Sequence, residues 1–163
     1  MALTRDIAAS YVRPGAVLRR RTSGPAREDR ALVTVMLACG LIFVAQWPRL
    51  SREAFLTGQE LNGLMAGALL GWLIIAPLFL YALAALSHLV ARLMGGRGSW
   101  FGARMALFWA LLAASPLWLL WGLVAGFLGA GAALNATGLV ALGAFLAIWI
   151  AGLTTLERGE TAQ

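Results

Sequence analysis

The stretch GLMAGALLGWLIIAPLFLYALAALSHLV, residues 63–90, contains no Asp, Glu, Lys or Arg, and its only strongly polar side chains are Ser87 and His88 near one end. As a helix rising 1.5 Å per residue it would be about 40 Å long, against a hydrocarbon core of about 30 Å. Such a helix must tilt, bend or emerge from a bilayer. Pro77, near its middle, removes one backbone hydrogen bond and supplies a site for the bend.

Three more apolar stretches lie on either side, at residues 31–47, 103–128 and 136–156. The first is short, at about 25 Å, and is expected to borrow a turn from residues 25–30, where Ser23 can cap and Pro25 suits a first turn. Pro116 stands in the third stretch as Pro77 does in the second. The expected fold is therefore an all-α integral membrane protein, a bundle of four transmembrane helices. A leader (residues 1–30) precedes the bundle (31–156), and a tail (157–163) follows it. Composition points the same way: 61% of the 163 residues are hydrophobic and 12% charged, whereas soluble domains run near 45–50% and about 25%. The single cysteine, Cys39, excludes an intramolecular disulfide and a multi-thiolate zinc site, and is expected to be buried and inert.

All 13 basic residues are arginine, a bias that looks like a GC-rich bacterial genome, and they outnumber seven acidic residues to give a net charge of +6. Their positions decide what the charge is for. Arg5, Arg13, Arg19, Arg20, Arg21, Arg27 and Arg30 precede the first span, Arg92, Arg97 and Arg104 surround the second loop, and Arg158 follows the last span. Only Arg49 and Arg52 fall in the first loop and none in the third. Cytoplasmic loops retain arginine, so both termini are expected in the cytoplasm, with the protein in a bacterial inner membrane. A nucleic-acid partner is not expected, because these arginines hug membrane boundaries and have no soluble domain on which to form a groove. About thirty polar and basic residues before the first apolar run also argue against a cleaved signal peptide.

Within the spans, Gly63, Gly67 and Gly71 recur every fourth residue and are expected to let a neighbouring helix approach closely. Ala106, Ala110 and Ala114 repeat the spacing in the third span, and Gly143, Ala147 and Ala151 in the fourth. Packing within the bundle is the expected use of the glycine face, with a homo-oligomer contact as the alternative. Ala76-Pro77-Leu78-Phe79-Leu80 is echoed by Ser115-Pro116-Leu117-Trp118-Leu119, and paired proline-broken helices can mark a transporter's central site. That makes a small-solute transporter or channel the competing function. Against it, no Asp, Glu, Lys or Arg lies in the interior of any span.

His88, the only histidine, sits about 16 Å beyond Pro77, at the headgroup level, and no carboxylate or thiolate neighbours it in sequence. No catalytic residue, metal ligand or cofactor site is expected. The leader reads as a short amphipathic helix on the membrane surface, with Leu3, Ile7, Ala8, Tyr11 and Val12 toward lipid and Arg5, Asp6, Ser10 and Arg13 away from it. Arg19, Arg20 and Arg21 should then lie over anionic headgroups. His88, Arg97 and Arg104 complete the candidate cytoplasmic contacts with lipid or with other membrane proteins.

The string Gly95-Gly96-Arg97-Gly98-Ser99-Trp100-Phe101, with a long apolar helix before it and a third span reaching Ser115-Pro116, resembles the Yip-one domain family of Ypt/Rab-interacting membrane proteins. The leader, a helix, then Arg13-Pro14, then arginines before the first span, looks like the lead-in of bacterial members, so the similarity covers most of the chain. Family members usually have about five spans, one more than is read here. The resemblance implies a non-enzymatic multi-span membrane protein that works as a scaffold or interaction partner. Its eukaryotic relatives are implicated in vesicle traffic through Rab-type GTPases.

The arginine count predicts that residues 95–99 face the cytoplasm. A cysteine introduced as Ser99→Cys in a Cys39→Ala background should resist an impermeant reagent added from the periplasmic side and react after the membrane is opened. Labelling from outside would reverse the topology.

Overall fold

The computed structural model describes residues 2–158, and within them every regular element is helical. Two short helices form the leader, α1 (Ala2–Ser10) and α2 (Pro14–Thr22). They precede α3 (Glu28–Thr57), α4 (Leu61–Leu70), a π-helical turn (Gly71–Ile75), α5 (Ala76–Leu93), α6 (Trp100–Phe127) and α7 (Ala132–Arg158). Four helices are long and apolar enough to cross a membrane: α3, the continuous α4–α5 unit, α6 and α7. The protein is thus an all-α membrane bundle.

The span boundaries differ from the sequence reading at charged residues. α3 begins at Glu28, whose carboxylate and that of Asp29 complement the positive end of the helix dipole, and it continues through Pro48 to Thr57. It stops at Gly58, which takes a left-handed φ of 70° and donates its N–H to Ala54 O at 2.9 Å. Arg49 and Arg52, expected in a loop, therefore lie on the helix. Arg49 pairs with Glu53 one turn on, and Arg52 donates to the Gly126 and Phe127 carbonyls at the C-terminal end of α6. α6 begins earlier than its apolar run, at Trp100, because the Ser99 hydroxyl accepts the Gly102 N–H at 3.0 Å. α7 extends through Glu157 and Arg158, so the expected tail starts inside a helix.

α6 is the axis of the bundle. α3 and α7 pack along it, and α1, α2 and α5 also touch it. From Phe101 to Ser115 nearly every side chain is buried, including Met105, Leu107, Phe108, Trp109 and Leu112. A helix apolar on all sides is suited to this position, since no face has to meet water. Ala106, Ala110 and Ala114 are all in the buried set.

The close helix contacts are made by glycines other than those singled out in the sequence. A Cβ added at Gly63, Gly67 or Gly71 would meet nothing within 4 Å, so these three do not serve packing within the bundle. Gly143 is equally open, and Ala147 is exposed. The tight crossing is α3 on α6, where a Cβ on Gly122 would overlap the Ala45 carbonyl and one on Gly126 would overlap Pro48. These two glycines are themselves four residues apart, the spacing that lets backbones touch. Spacing alone does not say which face of a helix turns inward.

The two prolines behave differently. Pro77 lies in the first turn of α5, directly after the π-helical turn, which is closed by the Ala76 N–H bonding to Gly71 O. The wider turn absorbs the irregularity of a ring that cannot donate. α6 runs uninterrupted through Pro116.

Overpacking at a closed glycine contact costs about 1–3 kcal/mol or more. Gly122→Leu should therefore lower the thermal midpoint in detergent clearly, while Gly67→Leu should stay close to the parent chain. Equal midpoints would mean that the α3–α6 crossing does not depend on Gly122.

Candidate interaction site at the arginine-rich end

The start of α3, the end of α5, the start of α6 and the end of α7 gather at one end of the bundle. Arg104 on α6 pairs there with Glu28 on α3, and the Arg97 N–H donates to Glu157 O at the end of α7, at 3.1 Å. The leader docks at the same end, so eleven of the thirteen arginines belong to elements assembled there.

The leader turns part of its polar face inward. Asp6 and Ser10 are buried against the rest of the bundle, whereas Leu3, Tyr11 and Val12 are exposed on the outer side of the leader. Asp6 is an acceptor for both Arg20 and Arg21, the latter at 2.6 Å. The Ser10 hydroxyl donates to Asp6 O at 2.7 Å and accepts from Trp109 Nε1 at 2.8 Å. Arg21 lies over the Trp109 ring, its guanidinium carbon 3.7 Å from the centroid, a cation–π contact. The Tyr11 hydroxyl donates to Ala113 O at 2.8 Å, and partial burial raises its pKa above the ordinary phenol value, so it stays a protonated donor at neutral pH. On α2, Leu18 is fully buried against Gly152 of α7, and Gly15 lies against Thr155. Arg20 and Arg21 are therefore spent on holding the leader. Arg19 instead lines a cleft of about 290 Å³ with Ser99, Gly102 and Thr155.

The Gly95–Gly96–Arg97–Gly98 string forms a clasp around Glu157. Gly95 takes φ 89°, its N–H bonds Arg92 O, and the Gly96 N–H reaches back to Ala91 O at 2.8 Å, closing α5. Gly98 donates its N–H to Glu157 Oε2 at 2.8 Å, and His88 Nδ1 meets Glu157 Oε1 at 2.7 Å. With Glu157 ionised, Nδ1 is the donor, and both carboxylate oxygens are satisfied. A Cβ on Gly96 or Gly98 would collide with Glu157, which accounts for glycine at both positions. His88 also lies against Trp100, with ring centroids 4.5 Å apart.

His88, expected without a partner, thus has a carboxylate partner 69 residues away, and both side chains are almost wholly buried. Sequence reading missed Glu157 because it was placed in the tail. The available signal was a lone histidine near the end of one apolar helix and a lone glutamate near the end of another. Chemically the pair is a strut. Ser87, next to His88, donates instead to Ala84 O in its own helix at 2.8 Å, and residues adjacent in a helix do not face each other. Among the described residues no group of three or more His, Cys, Asp or Glu side chains could hold a metal ion.

Beside the clasp, α5 and α7 flank a groove of about 860 Å³. Its walls are apolar, with Leu86, Val90 and Met94 on one side and Trp149, Ile150 and Leu153 on the other. Arg97, Glu157 and Arg158 line its polar end. Arg97 is exposed at that rim while its backbone is fixed to Glu157.

Removing one partner of a buried hydrogen bond costs about 1–3 kcal/mol, more where the group left behind is charged, because that group is left unsatisfied away from water. His88→Ala should lower the thermal midpoint strongly and speed tryptic cleavage after Arg97. Glu157→Gln, which keeps an acceptor for the Gly98 N–H, should do both more weakly. No family model, curated protein or solved structure matches this chain, so its functional reading rests on the geometry above.

Proposed function

We propose that this chain is a non-enzymatic scaffold of the Yip-one type in a bacterial inner membrane, with both termini and the 95–99 loop in the cytoplasm. On this reading it works by contact with anionic lipid or with other membrane proteins. The observation that carries the reading is how the acidic groups at the arginine-rich end are used. Asp6 ties α1 to α2, Glu28 ties α3 to α6, and Glu157 ties α5 and the 95–99 loop to α7. These three are engaged in building the surface and the exposed Asp29 pairs with Arg27, while Arg13, Arg19, Arg92 and Arg97 are exposed on it. A rigid, basic face beside a membrane suits recognition of acidic headgroups or acidic protein segments.

The competing reading is a small-solute transporter or channel that moves about the π-helical turn and Pro77. It is tested by flux and counterflow of several solutes into vesicles containing the purified protein. The scaffold reading expects flux no faster than in protein-free vesicles. Saturable flux abolished by Pro77→Ala would overturn it.

A further inference from the structure

We infer that the groove between α5 and α7 is a binding site for one anionic phospholipid of the leaflet next to the arginine-rich end. This rests on the reading of the chain as a membrane scaffold and names the lipid contact that such a scaffold would make.

Three observations converge. The first is length. From Leu83 to Met94 the α5 wall runs about 16 Å, and from Trp149 to Arg158 the α7 wall runs about 14 Å. Half of a ~30 Å hydrocarbon core is about 15 Å, so the groove matches one leaflet. The second is polarity. The walls are mainly aliphatic and aromatic, the Ser87 and Thr154 hydroxyls in them donate to carbonyls of their own helices, and the charged side chains lie at one end only, which is the profile of a single-leaflet amphiphile. The third is the sign of the charge. The exposed Arg97 lines the polar end, and the Glu157 carboxylate there already accepts from His88 and the Gly98 N–H. A phosphodiester headgroup therefore meets the Arg97 guanidinium at the rim. Phosphate is a good match for guanidinium because two parallel N–H donors can bind it.

The clasp gives the site its preorganisation. The Arg97 backbone is held by Glu157 O, and the flanking glycines allow the loop to lie close against Glu157. The guanidinium is thereby delivered from a fixed backbone. Leu86, Val90, Met94 and Ile150 are all exposed, leaving the walls open to acyl chains.

The test is native mass spectrometry of the full chain in detergent, titrated with phosphatidylglycerol or phosphatidylcholine of identical chains. The parent should retain one phosphatidylglycerol at least about tenfold more tightly than phosphatidylcholine. Each arginine near an anionic headgroup is worth about fivefold, so Arg97→Gln should weaken phosphatidylglycerol by about that factor and leave phosphatidylcholine unchanged. Leu86→Trp and Ile150→Trp, each filling the groove from an opposite wall, should weaken both lipids. Glycerol 3-phosphate, a phosphate ester of glycerol without acyl chains, should not displace the lipid.

Equal binding of the two lipids by the parent would overturn the proposal. So would unchanged phosphatidylglycerol binding in Arg97→Gln or in both groove-filling variants, or displacement by glycerol 3-phosphate alone. Loss of the lipid preference without solute flux would leave the scaffold reading standing, whereas saturable flux would remove that reading whatever lipid binds.

Discussion

The burial of the first half of α6 on every side is the constraint around which the molecule is arranged. Phe101 to Ser115 must be covered by five other elements at once, which requires side chains small enough for close approach where helices cross and large enough to fill space between them. Alanines at 106, 110 and 114 supply the first property, and Phe108 and Trp109 the second. Lipid tails are as apolar as leucine, so no hydrophobic force drives one membrane helix against another, and packing quality decides which faces meet. The second half of α6 meets the same demand through Gly122 and Gly126 against α3.

Polar contacts then hold in place what packing alone would leave loose. The leader and the 95–99 loop are short segments with little apolar area to bury, and each is anchored by a charged group in a poorly solvated setting. Asp6 binds two arginines, one of which also covers Trp109, and Glu157 binds a histidine and a backbone amide. Ion pairs in such places gain little net stability over an apolar packing of the same shape, but breaking one is expensive. Their effect is to specify one arrangement of helix ends, and that arrangement sets where the exposed arginines stand.

The two sides of the bundle contrast accordingly. The continuous α4–α5 unit, with its π-helical turn, and α7 leave many apolar residues exposed, among them Ile74, Ile75, Leu78, Leu139 and Val140, as helices facing lipid should. Where α5 and α7 stand apart beside α6, the uncovered surface becomes concave and ends at arginines. Lipid solvation and lipid recognition are then two degrees of the same contact, separated by shape and by the charge at the rim.

Much of this was legible in the residues themselves. Four spans, their approximate centres and the grouping of arginines at one end follow from hydropathy and charge, since the cost of placing a charge or an unpaired amide in hydrocarbon depends on depth and composition and hardly on neighbours. Boundaries were less legible, because Arg49, Arg52 and Glu157 read as loop or tail although a helix can carry charge once it clears the core. Helix faces were not legible at all: the spacing at Gly63, Gly67 and Gly71 equals that at Gly122 and Gly126, yet only the latter pair is closed against a neighbour. The partners of Asp6, His88 and Glu157 likewise depended on how the helices rotate and which ends converge. Rotation and convergence are settled by mutual fit among elements distant in the chain, and no local window of sequence contains the surface against which each residue must fit.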